Sequence, residues 1–580
     1  MKRFISEIIA FKKLLLLTII SIIGSTIAML AAPYILGLTI DKYILPSRYS
    51  ELPFIVSIYL LCLIGQWGFH TLRRYSIEAL GQHVLYSLRE KIFNKLLSAK
   101  ISFYKDRQVG DLVSRLINDT STINEVLVSG LLGVIGDVFS LIGIVVMMFI
   151  LSPSLTLVAM VGVPLMIFIA WFFGSRLRRA YKAVREKIAS LSSVVSENVS
   201  GIETIKAFGR EDRVRSEFAM VSWETVRMYM RVAVLMGFFW PLMNLASTLS
   251  IVVVLIYGGY LSITGVLSIG VVVAFIQYVN RFIRPINNLI SLYDSLQSAL
   301  ASLDRIYEVL DVDEIEEEAG IEINGIDGGI IFDHVWFEYE PGKPILKDIN
   351  LEIKPGETIA IVGRTGAGKT TLINLLLRFY DPVKGRILVD GVELREIKRS
   401  SVRKHISYVP QETYLFPGTV LDNIRVGKPD ASDEEVKRIC RILGIEEFIE
   451  KLPKGYYTDA GEAGKRLSVG EKQLIAIARA MLRSPDVVVL DEALSSVDAK
   501  TEEIIRRAIK TLMKGRTGII VAHRLTITHD CDRVIVIDDG RIVEEGRLEA
   551  LLSRKGVFYK LYKSQISGIE ALDKPVIQRS

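Results

Sequence analysis

Four long runs with almost no charge decide what this chain can fold into. Leu14 to Ile40, Pro53 to Leu72 and Val232 to Asn280 contain no Asp, Glu, Lys or Arg, and Val126 to Ser175 contains only Asp137. A helix of about 20 apolar residues crosses the hydrocarbon of a bilayer, and helices satisfy every backbone polar group internally there. The runs therefore supply one, one, two and two spans, six helices in all. The two longest must each fold into a hairpin, broken at Ser152, Pro153 and Ser154 in the first and between Ser262 and Gly270, around Gly265, in the second. A cleaved signal peptide is the competing reading of the N-terminus, but its apolar core spans about 7 to 15 residues, whereas 27 uncharged residues run on from Leu14.

Composition agrees. A chain with 50% hydrophobic and 23% charged residues, and a mean hydropathy of +0.35, is neither disordered nor a wholly water-soluble enzyme. The net charge of +6 carries no nucleic-acid message. Cys62, Cys440 and Cys531 stand far apart without C-x-x-C spacing, so they read as reduced thiols rather than a disulfide framework or zinc site.

Lys and Arg outside the spans set the orientation. The N-terminus, Arg73 to Glu125 and Arg176 to Arg231 together carry twenty-five, and the opposite side only Lys42 and Arg48. The N-terminus and both long connections are thus expected in the cytosol of a multi-pass cell-membrane protein. Those connections are too long for turns and carry helical patterns such as Leu85, Leu88, Ile92 and Leu96, so the membrane helices should extend into the cytosol and turn back there. Residues 1–310 form an all-α membrane domain in this reading. The acidic stretch 311–329 is a solvated linker, 330–565 an α/β domain, and 566–580 a C-terminal tail.

In the α/β part, the apolar stretch Thr358 to Val362 runs into GRTGAGKTT, Gly363 to Thr371, and then into the helical pattern LINLLLRFY. Strand, G-x-x-x-x-G-K-[ST] spacing and helix together make a phosphate loop. Gly363, Gly366 and Gly368 let successive N–H groups curl toward phosphate oxygens, Lys369 reaches the β and γ phosphates, and Thr370 offers its hydroxyl to Mg²⁺. A second strand, Val487 to Leu490, ends in Asp491 and Glu492. Asp491 suits a metal or its water, and Glu492 suits proton abstraction from an attacking water.

These residues stand among further motifs. LSVGE (Leu467 to Glu471), followed by KQLIAIARAMLRSPDVVVLDEALSSVD, resembles the signature, second phosphate-site strand and D-loop of ATP-binding cassette (ABC) proteins. Tyr339 in FEYE, Gln411 in YVPQE, TDAGEAG (Thr458 to Gly464) and His523 in VAHRL are similar to that family's remaining nucleotide motifs. The membrane half resembles the exporter type through SFYKDRQVGDLVSRLINDT (Ser102 to Thr120) and SENVSGIETIKAFGRED (Ser196 to Asp212), which look like its coupling segments. The implied fold is a six-helix transmembrane domain followed by an α/β P-loop nucleotide-binding domain, the implied activity an ATPase that drives transport, and the implied ligands ATP and Mg²⁺.

The resemblance also implies roles. Tyr339 would stack on adenine, with Thr365, Ala367 and Thr371 completing the loop's contacts to nucleotide. Thr370, Gln411 and Asp491 would serve the metal, Glu492 would be the general base, and His523 would contact the γ-phosphate. Ser468, Gly470 and Asp498 would serve ATP held by an opposite subunit, so the chain should work as a dimer. His405 and His529 match no motif and read as surface or packing residues, and His70 and His83 are left without a role.

Two departures stand out. The usual signature is LSGGQ, and here Val469 and Glu471 replace Gly and Gln. A β-branched residue and a carboxylate beside a phosphate site should weaken anion binding. Beside an intact Glu492, such a variant resembles one subunit of a heterodimeric exporter among ABC relatives, the alternative being a harmless variant in a homodimer, since Ser468 and Gly470 remain. In the sixth span Gln277, Arg281, Arg284, Asn288 and Ser291 form one helical stripe. Arginines at that depth are costly in lipid and should face protein or a translocation cavity, or else pair, with Asp137 as the candidate partner. The expected cargo is an amphipathic drug-like molecule, lipid or peptide. An ATP-gated channel or non-transporting regulator on the same scaffold is the alternative.

Overall fold

The computed structural model describes the chain except residues 1, 106, 317, 492–498, 523 and 573–580, and omits the side chains at 2, 129, 131, 283, 284, 286–295, 499 and 565–572. The chain divides into two compact units, Met1–Ser98 with Arg107–Asp313, and Ala99–Asp106 with Glu314–Ser580.

The first unit is helical. Its principal helices are α1 (Lys12–Thr39), α2 (Leu52–Ser98), α3 (Leu132–Leu151), α4 (Gly162–Ser200), α5 (Glu211–Ile263) and α6 (Ile269–Leu310). Among the described residues, five helical runs are long and apolar enough to cross a membrane. The sixth helix contributes a shorter apolar stretch, Ile269–Phe282, among its described side chains. Both hairpin breaks fall at the sequence signals. Ser152 is extended, its hydroxyl accepts the Leu155 N–H at 3.3 Å, and Pro153 opens the next helix, Pro153–Ala159. The second break separates Ile263 from Ile269.

Contacts within this unit are set by small and polar residues. A Cβ on Gly270 would lie 2.0 Å from the Gly37 carbonyl oxygen, so α1 and α6 cross with their backbones nearly touching. Asp41, in the π-helical turn Ile40–Ile44, accepts the Gly270 N–H at 2.7 Å and the Ser268 hydroxyl, and thereby satisfies donors at the start of α6. Beyond the apolar run of α2, Leu85, Leu88 and Ile92 are buried, as the stripe predicts. Buried Asp119 is held by Arg305 Nε and Ser302 Oγ, each at 2.9 Å, which fastens the Arg115–Asp119 turn to the far end of α6.

The second unit contains two sheets. Strands β1 (Ile330–Glu338), β2 (Pro344–Ile353), β4 (Lys384–Val389) and β5 (Val392–Glu393) make an antiparallel sheet in the order β2-β1-β4-β5. The other has the order β10-β9-β3-β8-β7-β6, from β3 (Thr358–Val362), β6 (Ile406–Val409), β7 (Val487–Asp491), β8 (Thr517–Val521), β9 (Arg533–Asp538) and β10 (Arg541–Gly546). All pairs in it are parallel except β9 with β10. The fully buried aliphatic runs of β7 and β8 suit inner strands covered on both faces.

The acidic stretch expected to be a solvated linker is instead tied down from Glu314 onward. Glu316 receives two 2.8 Å bonds from Arg403, Ile321 pairs with Ile397, and the Asp390 carboxylate accepts the Asp327 and Gly329 N–H groups at 2.7 Å. Its acids have cationic and backbone partners, which solvation alone would not provide. Ala99–Asp106 belongs to the same unit: Ala99 bridges Ile315, and Ser102 Oγ donates to Glu314 at 2.6 Å.

Candidate nucleotide and substrate sites

The parallel sheet brings the nucleotide motifs to one edge. Because β3, β8, β7 and β6 run the same way, their carboxyl ends lie together, and ligands bind at that edge of such sheets. Gly363 follows β3, Asp491 ends β7, and Gln411 comes two residues after β6. His523 follows β8 and Glu492 follows β7 in sequence, but both lie outside the described residues, as does Asp498.

The loop after β3 passes into α7 (Lys369–Leu376) through a left-handed Gly368, with φ 103°. A Cβ there would be 2.6 Å from Leu346 Cδ2, so glycine is required both by the turn and by the close packing. Gly366, also left-handed at φ 82°, has open space where a Cβ would point. Lys369 is buried, and its ammonium donates to the carbonyls of Gly363 at 2.8 Å and Arg364 at 3.0 Å, which folds it back across the loop. Ala367 and Thr371 are buried, whereas Thr365 and Thr370 are exposed. The first-turn N–H groups of α7 have no intrahelical partners and carry the positive end of its dipole. An open loop and a cationic side chain at the positive end of a helix fit a polyphosphate.

Asp491 is 4% exposed at the end of β7, and the Tyr408 hydroxyl on neighbouring β6 bonds to it. Burial and this carboxylate push the Tyr408 hydroxyl well above its ordinary pKa, so it stays a donor to Asp491. A buried carboxylate on the edge that carries Thr370 and Gln411 fits a hard cation such as Mg²⁺. Tyr339 joins Phe337 and Tyr380 in an edge-to-face cluster, its hydroxyl donates to Thr371 Oγ1 at 3.3 Å, and the Lys105 ammonium lies 4.5 Å from its ring centroid.

The signature region shows what the sequence reading missed. Ser468 caps α8 (Val469–Leu482): its hydroxyl accepts the Glu471 N–H at 3.3 Å while the Glu471 carboxylate accepts the Ser468 N–H at 2.6 Å. Glu471 therefore has a helix-capping task, which S-x-x-E spacing already signals. Gly470 is buried, and Val469 is exposed. Two further α8 residues tie the signature to the Gln411 segment. Gln473 donates to the Gln411 carbonyl at 2.8 Å, and Arg479 donates to the Asn423 carbonyl at 2.6 Å, Asn423 Oδ1 at 2.7 Å and the Tyr414 carbonyl at 2.8 Å. His405 is a packing residue, bonded to Asp486 at 2.6 Å, and His529 packs on Tyr562. All three cysteines are free thiols.

Within the helical unit, α1, α2, α3 and α6 line an open cavity of about 640 Å³ that holds several charged side chains. Arg281 lines it together with His70, Arg73, Arg74, Glu78 and Asp137. Arg281 donates to the Met29 carbonyl, and Arg73 to that of Gly133 at 3.3 Å. Gln277 is exposed and is not among the lining residues, while the side chains of Arg284 and Asn288 are outside the described set. Arg73, Arg74 and His70 come from α2, more than 200 residues from Arg281 in sequence, so no local pattern joins them.

Comparison with known proteins places both units. Residues 15–286 match the ABC transporter transmembrane region and residues 346–495 the ABC transporter domain. The chain is 36% identical over 575 residues to an uncharacterized ABC transporter ATP-binding protein of Bacillus subtilis, covering 98% of this chain and 94% of that one. It is 35% identical to a fatty acid ABC transporter ATP-binding/permease protein of Mycobacterium bovis, covering 88% and 80%. A solved bacterial Atm1-family ABC exporter with ATP bound superposes with a TM-score of 0.76 at 27% identity, covering 96% of this chain and 98% of that structure. With helices that suit a membrane, a phosphate loop on a parallel sheet, and likeness along nearly its whole length, this chain belongs to the ABC exporter family as a half-transporter and transport ATPase.

Proposed function

We propose that two such half-transporters grip ATP between them and that this grip drives the membrane helices between inward-facing and outward-facing states, exporting an anionic or amphipathic molecule. The reading is carried by the meeting of Gly363 to Thr371, Gln411 and Asp491 at one sheet edge in a chain whose other unit suits a bilayer.

In this mechanism the loop N–H groups and Lys369 bind the β and γ phosphates, and Tyr339 stacks on adenine. Thr370, Gln411 and Asp491 would hold Mg²⁺, which neutralises phosphate charge when bound. Glu492 takes a proton from the attacking water, and His523 steadies the γ-phosphate. Ser468, Gly470 and Asp498 close on nucleotide held by the other subunit. Hydrolysis removes the γ-phosphate that holds the two faces together and resets the cycle.

The cavity supports an anionic headgroup for the cargo, since Arg73, Arg74 and Arg281 outnumber Glu78 and Asp137 in its lining. The fatty acid transporter among the relatives is consistent with such a cargo. Glu492→Gln should leave ATP bound while nearly abolishing turnover, and substantial residual hydrolysis would point to another base. Arg281→Ala should lose transport in vesicles while keeping basal ATPase activity. Transport at the wild-type rate would remove Arg281 from the cargo path, and passive flux that outlasts hydrolysis would replace the pump with a gate.

A further inference from the structure

A second charged concavity lies away from the Arg281 cavity, between α4 and α5. Arg176 and Arg179 on α4 and Arg227 and Arg231 on α5 line one groove of about 700 Å³, together with Met228, Met230, Val234 and Leu235. No Asp or Glu lines it. Glu224, one turn from Arg227 and Met228, is engaged by Lys187 at 2.6 Å.

The groove's position along the helices matters. On α4 the uncharged run ends at Ser175, and Arg176 is the next residue; on α5 Arg231 immediately precedes the uncharged run that begins at Val232. The groove therefore straddles the boundary between charged and apolar helix, with guanidinium groups on one side and Val234 and Leu235 on the other. Basic residues at such a boundary are expected of any membrane helix, because they snorkel to the surface. Here one turn of each helix places two permanently charged groups on the rim of one concavity, and the nearest carboxylate, Glu224, acts on Arg227 but is already bonded to Lys187. Arg176 is further steadied: its guanidinium lies 3.6 Å from the Phe172 ring centroid and donates to the Phe172 carbonyl at 2.9 Å.

From this geometry we infer that the groove binds an anionic phospholipid of the surrounding leaflet, its phosphate held by Arg176, Arg179, Arg227 and Arg231 and its acyl chains lying along Met230, Val234 and Leu235. The lipid is a resident of the bilayer rather than cargo. Which leaflet supplies it rests on the orientation adopted above, in which this end of the bundle is cytosolic; the binding itself does not depend on hydrolysis.

The test is native mass spectrometry of the full-length complex taken from nanodiscs of equal phosphatidylglycerol and phosphatidylcholine. Wild type should retain phosphatidylglycerol selectively, less so at high salt. R176Q/R179Q and R227Q/R231Q should each lower that preference by roughly tenfold, and the matching Arg→Lys pairs should keep most of it. Equal retention of the two lipids by wild type, or unchanged selectivity in both Gln pairs, would overturn the assignment. So would displacement of the lipid by glycerol phosphate, which would make this a site for soluble anions. Size-exclusion and thermal unfolding profiles separate lost lipid from lost fold, and because lipid retention is read without ATP, its failure is distinguishable from a failure of the transport reading.

Discussion

Replacing Glu471 by glutamine separates two consequences of one carboxylate. As a cap, Glu471 holds the Ser468 N–H, and glutamine can do the same, so stability should change by less than about 0.5 kcal/mol. In the proposed two-subunit grip on ATP its charge would oppose the phosphates and slow turnover, so Glu471→Gln should raise the ATPase rate. Ser468→Ala instead removes a cap and should cost about 1 kcal/mol, read as a lower unfolding temperature. In the phosphate loop, Gly368→Ala meets both a left-handed backbone and Leu346 at 2.6 Å. The variant should lose nucleotide binding and unfold several degrees earlier, measured by thermal unfolding with and without ATP. The spacing of the loop was legible before any coordinates, but the neighbour that makes Gly368 irreplaceable was not, because Leu346 comes from a different strand.

Among elements, α8 links two motifs that are distant in sequence. Arg479 is pushed down to about 10 by burial, remains charged at neutral pH, and holds the segment from Tyr414 to Asn423 through three hydrogen bonds. Arg479→Ala removes three charge-assisted bonds, leaves the Asn423 carbonyl without its donor, and should cost about 2 kcal/mol, with a loss of ATPase activity larger than the loss of ATP affinity. The helix Val420–Arg425 begins with a second capping box, Thr419 with Asp422, and bonds from the Thr419 hydroxyl and N–H hold the Asp422 carboxyl below its ordinary value. A carboxyl lowered by folding contributes stability that is complete above its unfolded pKa, about 3.9, and that disappears as pH falls through the folded value. Asp422→Asn should therefore flatten the loss of stability below about pH 4, seen as a smaller shift in unfolding temperature between pH 5 and pH 3. The helical runs and hairpin breaks were readable because lipid imposes length and Ser-Pro imposes a stop. The docking of Glu314 to Gly329 was not, since an acidic stretch reads the same whether its partners are water or Arg403.

For the whole molecule, assembly is the open axis. If Val469 and Glu471 mark one subunit of an unequal pair, the chain expressed alone should hydrolyse ATP several-fold more slowly than the complex isolated at native expression, and the mass of that complex should differ from that of its own dimer by the difference between two unlike chains. A mass equal to twice 65.0 kDa with full activity would establish the homodimer.

By itself the sequence determined the two-part plan, the membrane-spanning character and the nucleotide chemistry, because each rests on local order: uncharged length, glycine spacing, or an acid at the end of an aliphatic strand. Tertiary structure alone decided which distant residues share a site. The strand order put Asp491 and Gln411 on the edge that holds Lys369, α2 brought Arg73 beside Arg281, and α4 and α5 gathered four arginines into one groove. Hydrophobic periodicity fixes which face of an element is buried, but which other element covers that face depends on packing across the whole fold, and no short stretch of sequence encodes it.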